Sequence, residues 1–238
     1  MSIVEHISLI AAVLLGGFVG LRFPQFRGRY LHLVLSFSGA YLLSITALHV
    51  LPEAFAKTSA PPGLAILAGF FLQVLFEQLS SGVEHGHLHV HSGSRVALPV
   101  LVGLSLHALL EGSPLALLQD AVHEGHDHNH LLAGIVLHKL PAAFALSVLL
   151  AHAGYTRRAT WAMLAVFALM SPLGAVLAEA FIPERLVPYL LGLVSGSLLH
   201  VSTTILFELD DADHHRLTFV KTGAIAAGIA VALLTAYV

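Results

Sequence analysis

Residues 131–150 of the chain read LLAGIVLHKLPAAFALSVLL, a stretch in which Lys139 is the single residue with a permanent charge. A helix of about 20 apolar residues crosses the hydrocarbon core of a bilayer, which is about 30 Å thick. The stretch is therefore predicted to be a transmembrane helix. His138, Lys139 and Pro141 in its middle are unusual, because polar groups inside a membrane are costly and in most cases serve a function.

Similar apolar stretches lie on both sides of this one along the chain. Together they make eight, at about 6–21, 31–51, 63–79, 96–118, 131–150, 159–181, 187–207 and 219–237. The segments between them are too short to fold as soluble domains, which need about 50 residues or more. We predict an all-α polytopic membrane protein with eight transmembrane helices, and one integral membrane domain over residues 1–238.

The composition excludes several classes of protein. Hydrophobic residues make up 57% of the 238 residues and charged residues 11%, with a mean hydropathy of +0.85. Soluble domains carry about 25% charged residues, so a soluble globule is excluded. The 11 Lys and Arg are outnumbered by 14 Asp and Glu, which leaves no basic surface for a nucleic acid. The chain contains no cysteine, which excludes thiolate metal ligands and thiol nucleophiles.

Basic residues between the spans predict the orientation, because cytoplasmic loops are enriched in Lys and Arg. With both termini outside, eight basic residues fall in cytoplasmic loops and two fall outside. The cytoplasmic residues are Arg22, Arg27, Arg29, Arg95, Arg157, Arg158, Arg216 and Lys221, and the outer ones are Lys57 and Arg185. We expect both termini outside, with the cell (inner or plasma) membrane as the default location.

The 17 histidines are unusually many, and they are concentrated in two loops. Residues 84–91 read EHGHLHVH and residues 123–130 read HEGHDHNH. Imidazole is the commonest metal ligand, so such tracts indicate weak, multi-site metal capture, with a solvated polar linker as the alternative. The capture candidates are His85, His87, His89, His91, His123, His126, His128 and His130. The predicted topology places the first tract inside and the second outside.

The fourth and fifth spans contain polar residues that fit a metal site. His107 and Glu111 lie four residues apart and share one helix face, and His138 lies in the next span. Pro114 and Pro141 follow these residues, so both helices are expected to be broken or loosened around a substrate cavity. Two imidazoles and a carboxylate suit Zn²⁺, Fe²⁺ or Mn²⁺. The alternative is that these side chains only hydrogen-bond between helices.

Four motifs make the chain similar to the ZIP (Zrt/Irt-like protein) family of divalent metal transporters. They are HALLEG at residues 107–112, HKLPAA at 138–143, LHVLPEA at 48–54 and, more loosely, GSLLHVST at 196–203. The second motif resembles a ZIP branch whose fifth span carries His-Lys-x-Pro-Ala-Ala. The resemblance implies a bundle of eight helices in an inverted 3+2+3 arrangement. It also implies a metal site on the fourth and fifth helices and an elevator-like movement.

Two residues depart from the pattern of many ZIP members, which bind two metal ions bridged by a fifth-span glutamate. Lys139 stands at the position of that glutamate, and Ala142 stands at the position of a later one. The resemblance therefore implies a single ion on the three ligands named above. Lys139 is a candidate for taking the place of a second cation or for coupling to protons. Its alternatives are snorkelling, or an ion pair with Glu53, Glu179 or Glu208.

Polar residues in other spans are candidates for a transport path, or for polar contacts between helices. The candidates are His49, Glu53, Glu179, His200 and Glu208. Glu77 is given no role, because a charge near the predicted cytoplasmic end of the third span costs little.

The sequence thus predicts a protein that moves a divalent cation into the cytoplasm, with Zn²⁺ favoured over Fe²⁺, Mn²⁺ or Cd²⁺. We expect no resident cofactor, no catalytic residue and no nucleic acid; the partners are the metal ion and the lipid bilayer, and homodimerisation is left open. Two other functions stay as alternatives. One is an intramembrane zinc-dependent hydrolase, against which the absence of an HExxH motif counts. The other is a metal sensor that binds ions without moving them.

Overall fold

The computed structural model describes residues 1–26, 29–56, 61–80, 83, 97–118, 127–208 and 219–237. Within these residues the chain forms eight long helices and no strand, and each predicted span corresponds to one helix. The second, α2, comprises Arg29–Ile45, a π-helical turn at Thr46–Val50 and a last segment at Leu51–Ala56. The others are α1 (Ile3–Arg22), α3 (Gly63–Ser80), α4 (Ala97–Leu117), α5 (Asp127–His152), α6 (Arg157–Phe181), α7 (Val187–Glu208) and α8 (Phe219–Tyr237).

The helices suit a lipid environment. Seven of them are long and apolar enough to cross a membrane, and α8 has a slightly shorter apolar stretch at Phe219–Thr235. Large apolar side chains stay exposed on the outside of the bundle, as Leu67, Phe71 and Leu75 do along α3. Their spacing of four residues puts them on one face of the helix. Such an exposed apolar face is unfavourable in water but favourable in lipid. The chain is therefore a multi-pass integral membrane protein.

The helices pack in pairs that reflect the inverted 3+2+3 arrangement. The four most extensive contacts join α4 to α6, α1 to α5, α3 to α7 and α2 to α8. These contacts show an internal symmetry. The same four pairs are obtained when α1 is exchanged with α6, α2 with α7, α3 with α8 and α4 with α5. Because consecutive spans alternate in direction, the two halves related by this exchange run in opposite directions. Such inverted repeats are common in transporters.

The same contacts divide the bundle into two groups of four helices. The first group contains α1, α4, α5 and α6, and a buried apolar cluster that includes Val13, Leu104, Leu146 and Leu164 joins its members. The second group contains α2, α3, α7 and α8. The groups meet mainly where α3 packs on α4 and where α2 packs on α5.

Pro114 and Pro141 do not end their helices, so the prediction of helices broken at these prolines is wrong. α4 continues for three residues beyond Pro114 and α5 for eleven beyond Pro141. Pro114 has no N–H to donate to the carbonyl of Leu110, four residues back. Ser113 Oγ donates to that carbonyl at 2.7 Å instead. Hydroxyl groups that satisfy freed carbonyls allow membrane helices to contain proline.

The irregular backbone lies in α2 instead. The N–H of Leu51 donates to the carbonyl of Thr46, five residues back, which defines a π-helical turn. Pro52 follows this turn; it has no N–H, and its ring crowds the carbonyl of Leu48, so the helix widens just before it. The turn carries His49, and π-helical turns are frequent at functional sites.

Close packing between α4 and α6 depends on two glycines. A Cβ on Gly112 would overlap the backbone of Ser171, and a Cβ on Gly174 would overlap the carbonyl of Leu109. Small residues at such contacts let the backbones of membrane helices approach each other. This contact fixes the separation of α4 and α6 next to Glu111.

We expect the Gly112→Ala variant to unfold at a lower temperature than the wild type in detergent solution. The added methyl group meets the backbone of Ser171, and overpacking of this kind costs about 1–3 kcal/mol. The matched control is Gly223→Ala, because no neighbouring atom lies within 4 Å of a Cβ at Gly223. This control should be neutral or slightly stabilising, and equal melting temperatures for the two variants would contradict the packing argument.

Candidate metal centre between the fourth and fifth helices

The three predicted metal ligands come together in the middle of the bundle. His107 and Glu111 come from successive turns of α4, and His138 comes from α5; all three are buried, with 1–2% of each residue exposed. One ligand atom from each lies within 4.8 Å of the other two, and the two imidazole centroids are 5.9 Å apart. Among the residues that the structure describes, these three form the one group of three or more His, Asp or Glu side chains whose ligand atoms could share an ion.

The α4 pair already has a spacing that a metal ion requires. His107 Nε2 and Glu111 Oε2 are 3.3 Å apart. Two ligands bound to a tetrahedral Zn²⁺ at about 2.0–2.2 Å lie about 3.3–3.5 Å from each other. With His138 as the third ligand, the site would keep one open position, as catalytic zinc sites in proteins do.

A buried amide orients the His107 ring. His107 Nδ1 lies 2.9 Å from Oε1 of Gln73 on α3, and Oγ of Ser197 on α7 donates to the same oxygen at 2.8 Å. Because Gln73 Oε1 accepts the Nδ1–H, the lone pair of His107 is left on Nε2, which faces Glu111. Histidines that bind metals commonly have such a second partner.

Gln73 and Ser197 were not predicted to take part in the site. The available signal was the amide of Gln73 inside an apolar span, because a buried amide without a hydrogen bond is costly. Which group it bonds to depends on how α3 rotates against α4 and α7, and one sequence does not contain that information.

Lys139 is part of the same centre. Its Nζ makes an ion-pair contact with Glu111 Oε1 and lies 4.9 Å from the centroid of the Phe167 ring. The lysine is buried, with 1% of the residue exposed. The alternative of snorkelling is therefore wrong, and the partner is Glu111 rather than Glu53 or Glu179. The side chain of Glu208 lies outside the described part of the chain.

The two oxygens of Glu111 have different surroundings. Oε1 faces the ammonium of Lys139 and lies 3.4 Å from Oγ of Ser171, which also donates to the carbonyl of Ala108 at 2.7 Å. Oε2 faces His107. One oxygen thus neutralises the buried lysine, and the other is directed at the space between the two imidazoles. The centre has no net formal charge when both imidazoles are neutral.

The path candidates do not join this cluster. His200 Nε2 donates to Oε2 of Glu77 at 2.5 Å, across the contact between α7 and α3. Glu77, to which the sequence assigned no role, is therefore the partner of a path candidate. Glu179 is two-thirds exposed and lies 3.9 Å from the N-terminal ammonium group. His49 lies beside His130, and Glu53 is half-buried one turn farther along α2.

Most of the histidine tracts lie outside the described residues. These are His85, His87, His89, His91, His123 and His126, together with the side chain of His128.

Comparison with known proteins indicates the same protein family as the sequence motifs. The family described as "ZIP Zinc transporter" matches residues 80–236. The protein "Zinc transporter ZIP9" of Micropogonias undulatus is 34% identical over 125 residues, which cover 48% of this chain and 37% of that protein. "Zinc transporter ZIP9-B" of Xenopus laevis is 33% identical over 125 residues, covering 48% and 38%. The aligned part thus spans less than two-fifths of each relative.

The family match includes the whole of α4 and α5, and so all three candidate ligands and Lys139. It extends over more than half of the 238 residues. The chain belongs to the ZIP zinc transporter family.

Proposed function

We propose that this protein moves a divalent metal ion, Zn²⁺ in the first place, into the cytoplasm through a single-ion site of His107, Glu111 and His138. The observation that carries the proposal is the convergence of two imidazoles and one carboxylate on adjacent buried helices of a ZIP family member. Ionisable residues inside a membrane are rare, and they commonly mark ion pathways. The similar proteins from Micropogonias undulatus and Xenopus laevis are themselves described as zinc transporters.

The ligand chemistry leaves a small set of ions. Imidazole and carboxylate ligands without a thiolate suit Zn²⁺, Fe²⁺ and Mn²⁺, and Cd²⁺ can use the same groups. The expected orientation of the chain, with both termini outside, rests on the distribution of basic residues. The cell-surface membrane is the default location in this proposal.

An elevator-like movement is part of this proposal. All three ligands lie on α4 and α5, which belong to one of the two helix groups. Movement of that group against the other would carry an intact site between the two sides of the membrane. Glycines at contacts within the group, such as Gly112, favour its movement as one body.

The hydrolase alternative needs a free general base beside the metal. Glu111 is the nearest carboxylate, but one of its oxygens is held by Lys139 and the other faces His107. A carboxylate in contact with an ammonium group is a poor base, because protonation would leave the buried lysine without its counter-ion. The arrangement favours transport over hydrolysis.

Reconstituted transport tests the proposal directly. We expect wild-type protein in liposomes to take up Zn²⁺, and the His107→Ala and His138→Ala variants to take it up at least about tenfold more slowly, because each loses one of three ligands. The control is His6→Ala, since His6 lies at the start of α1 and bonds to the carbonyl of Ser2. Binding without uptake by the wild type would favour the sensor alternative, and wild-type rates in both variants would contradict the site.

Gln73 tests whether the orientation of His107 matters. The Gln73→Leu variant should bind Zn²⁺ about 10–100-fold more weakly, which is the usual cost of losing such a partner. The Gln73→Glu variant keeps an oxygen that accepts the Nδ1–H and should retain most of the affinity. The measurement is the dissociation constant for Zn²⁺, with thermal unfolding as the check on folding. Equal weakening in both variants would contradict the orienting role.

Lys139 is proposed to stand where many family members hold a second ion. Its ammonium group repels an incoming cation and competes with it for Glu111. The Lys139→Met variant should therefore bind Zn²⁺ more tightly, by about tenfold or more, whereas Lys139→Arg, which keeps the positive charge, should not gain affinity. The measurement is again the dissociation constant for Zn²⁺. Unchanged or weaker binding by Lys139→Met would contradict this role.

A further inference from the structure

A second pair of imidazoles lies outside the central cluster. The rings of His49, in the π-helical turn of α2, and His130, in the first turn of α5, have centroids 5.8 Å apart and planes at 35°. The two rings of the central site are separated by 5.9 Å. Two imidazoles that bind one tetrahedral ion at about 2.0–2.1 Å through nitrogen have ring centres about 5–6 Å apart. The spacing of the outer pair therefore fits a shared ion.

The backbone around this pair is held in place. The hydroxyl of Tyr41, a buried residue of α2, donates to the carbonyl of His130 at 3.3 Å. One turn farther along α5, Gly134 packs against the side chains of Tyr41 and Leu42. These contacts fix the first turn of α5 against α2. The widened turn before Pro52 sets the position of His49 on the other side.

The pair is aligned with the central site. His130, Gly134 and His138 follow one another at intervals of four residues, so they lie along one side of α5. Eight residues of α-helix span about 12 Å, which is the rise between His130 and His138 along the helix axis. His130 is also the last residue of the second histidine tract, 123–130. Along the sequence, His130 thus lies between the rest of this histidine tract and the central candidate ligand His138.

We propose that His49 and His130 form a second divalent-cation site, which receives ions from the 123–130 tract before they reach the central site. Two protein ligands leave the other positions to water, so this site binds more weakly and exchanges faster than a three-ligand site. Glu53, four residues after His49, adds negative charge on the same helix. The role as a relay rests on the transport proposed above, but the binding itself does not.

Binding can be measured with the central site, the first histidine tract and the rest of the second tract removed. The background carries His107→Ala and His138→Ala, together with asparagine in place of His85, His87, His89, His91, His123, His126 and His128. In this background we expect Co²⁺ or Zn²⁺ to bind at one site, detected by calorimetry and by the Co²⁺ absorption spectrum. Adding His49→Ala or His130→Ala should weaken that binding at least tenfold, whereas adding His6→Ala should leave it unchanged. Equal affinity in all of these proteins, or no binding in the background, would overturn the proposal.

A variant that gains metal binding provides a second test, because misfolding of the protein would not produce such a gain. The chain has no cysteine, so thiols can be placed at the two positions alone. The double variant H49C/H130C should bind one Cd²⁺ much more tightly than either single variant, with the ultraviolet absorption of a thiolate–Cd²⁺ bond, because two thiolates then share the ion. Equal Cd²⁺ affinity in the double and single variants would show that the two positions do not share an ion.

Uptake separates this inference from the proposed function. In the otherwise native chain, His49→Ala and His130→Ala should raise the KM for Zn²⁺ several-fold and leave the maximal rate nearly unchanged. An unchanged KM would overturn the relay. If the wild type moved no Zn²⁺, transport would be contradicted, while the outer site would still be decided by the binding measurements.

Discussion

The ion pair between Glu111 and Lys139 is the interaction on which the centre of this protein depends. Each charge in the hydrocarbon region of a membrane costs about 2.5–3.5 kcal/mol on insertion scales, so neither side chain is expected there alone. Together they cancel, and the carboxylate keeps one oxygen directed at His107. The protein thus places the carboxylate of Glu111, a candidate metal ligand, inside the membrane together with a buried counter-charge. Without Lys139, that carboxylate would need either a bound cation or a proton to neutralise it.

Small residues at the contact between α4 and α6 help to position this ion pair and the imidazoles. Gly112 on α4 and Gly174 on α6 let the two backbones touch, and Ser171 on α6 then reaches Glu111 Oε1. Helix contacts of this kind replace the hydrophobic effect, which gives no driving force between helices in lipid. The candidate ligands are therefore positioned by the shape of the helix surfaces, and a methyl group at Gly112 would meet the backbone of Ser171 beside them.

The sequence predicted the features that depend on local pattern. The eight spans follow from the length of apolar stretches, and the pairing of His107 with Glu111 follows from their separation of four residues. The partner of Lys139 could not be predicted, because it depends on how α5 is rotated against α4. The role of Gln73 depends in the same way on α3 and α4. The prolines misled the prediction, since the hydroxyl of Ser113 compensates for Pro114.

The residues around the candidate metal site come from both helix groups, and this affects how the affinity for the metal ion could change during transport. The three ligands belong to α4 and α5 of the first group, but Gln73 and Ser197, which orient His107, belong to α3 and α7 of the second. A transporter must hold its ion more tightly in one state than in another, and only interactions that differ between the states can provide that difference. In the proposed movement, the bond between His107 and Gln73 would break when the groups slide. Losing such a partner weakens metal binding by about 10–100-fold, so the proposed movement would also promote release of the ion.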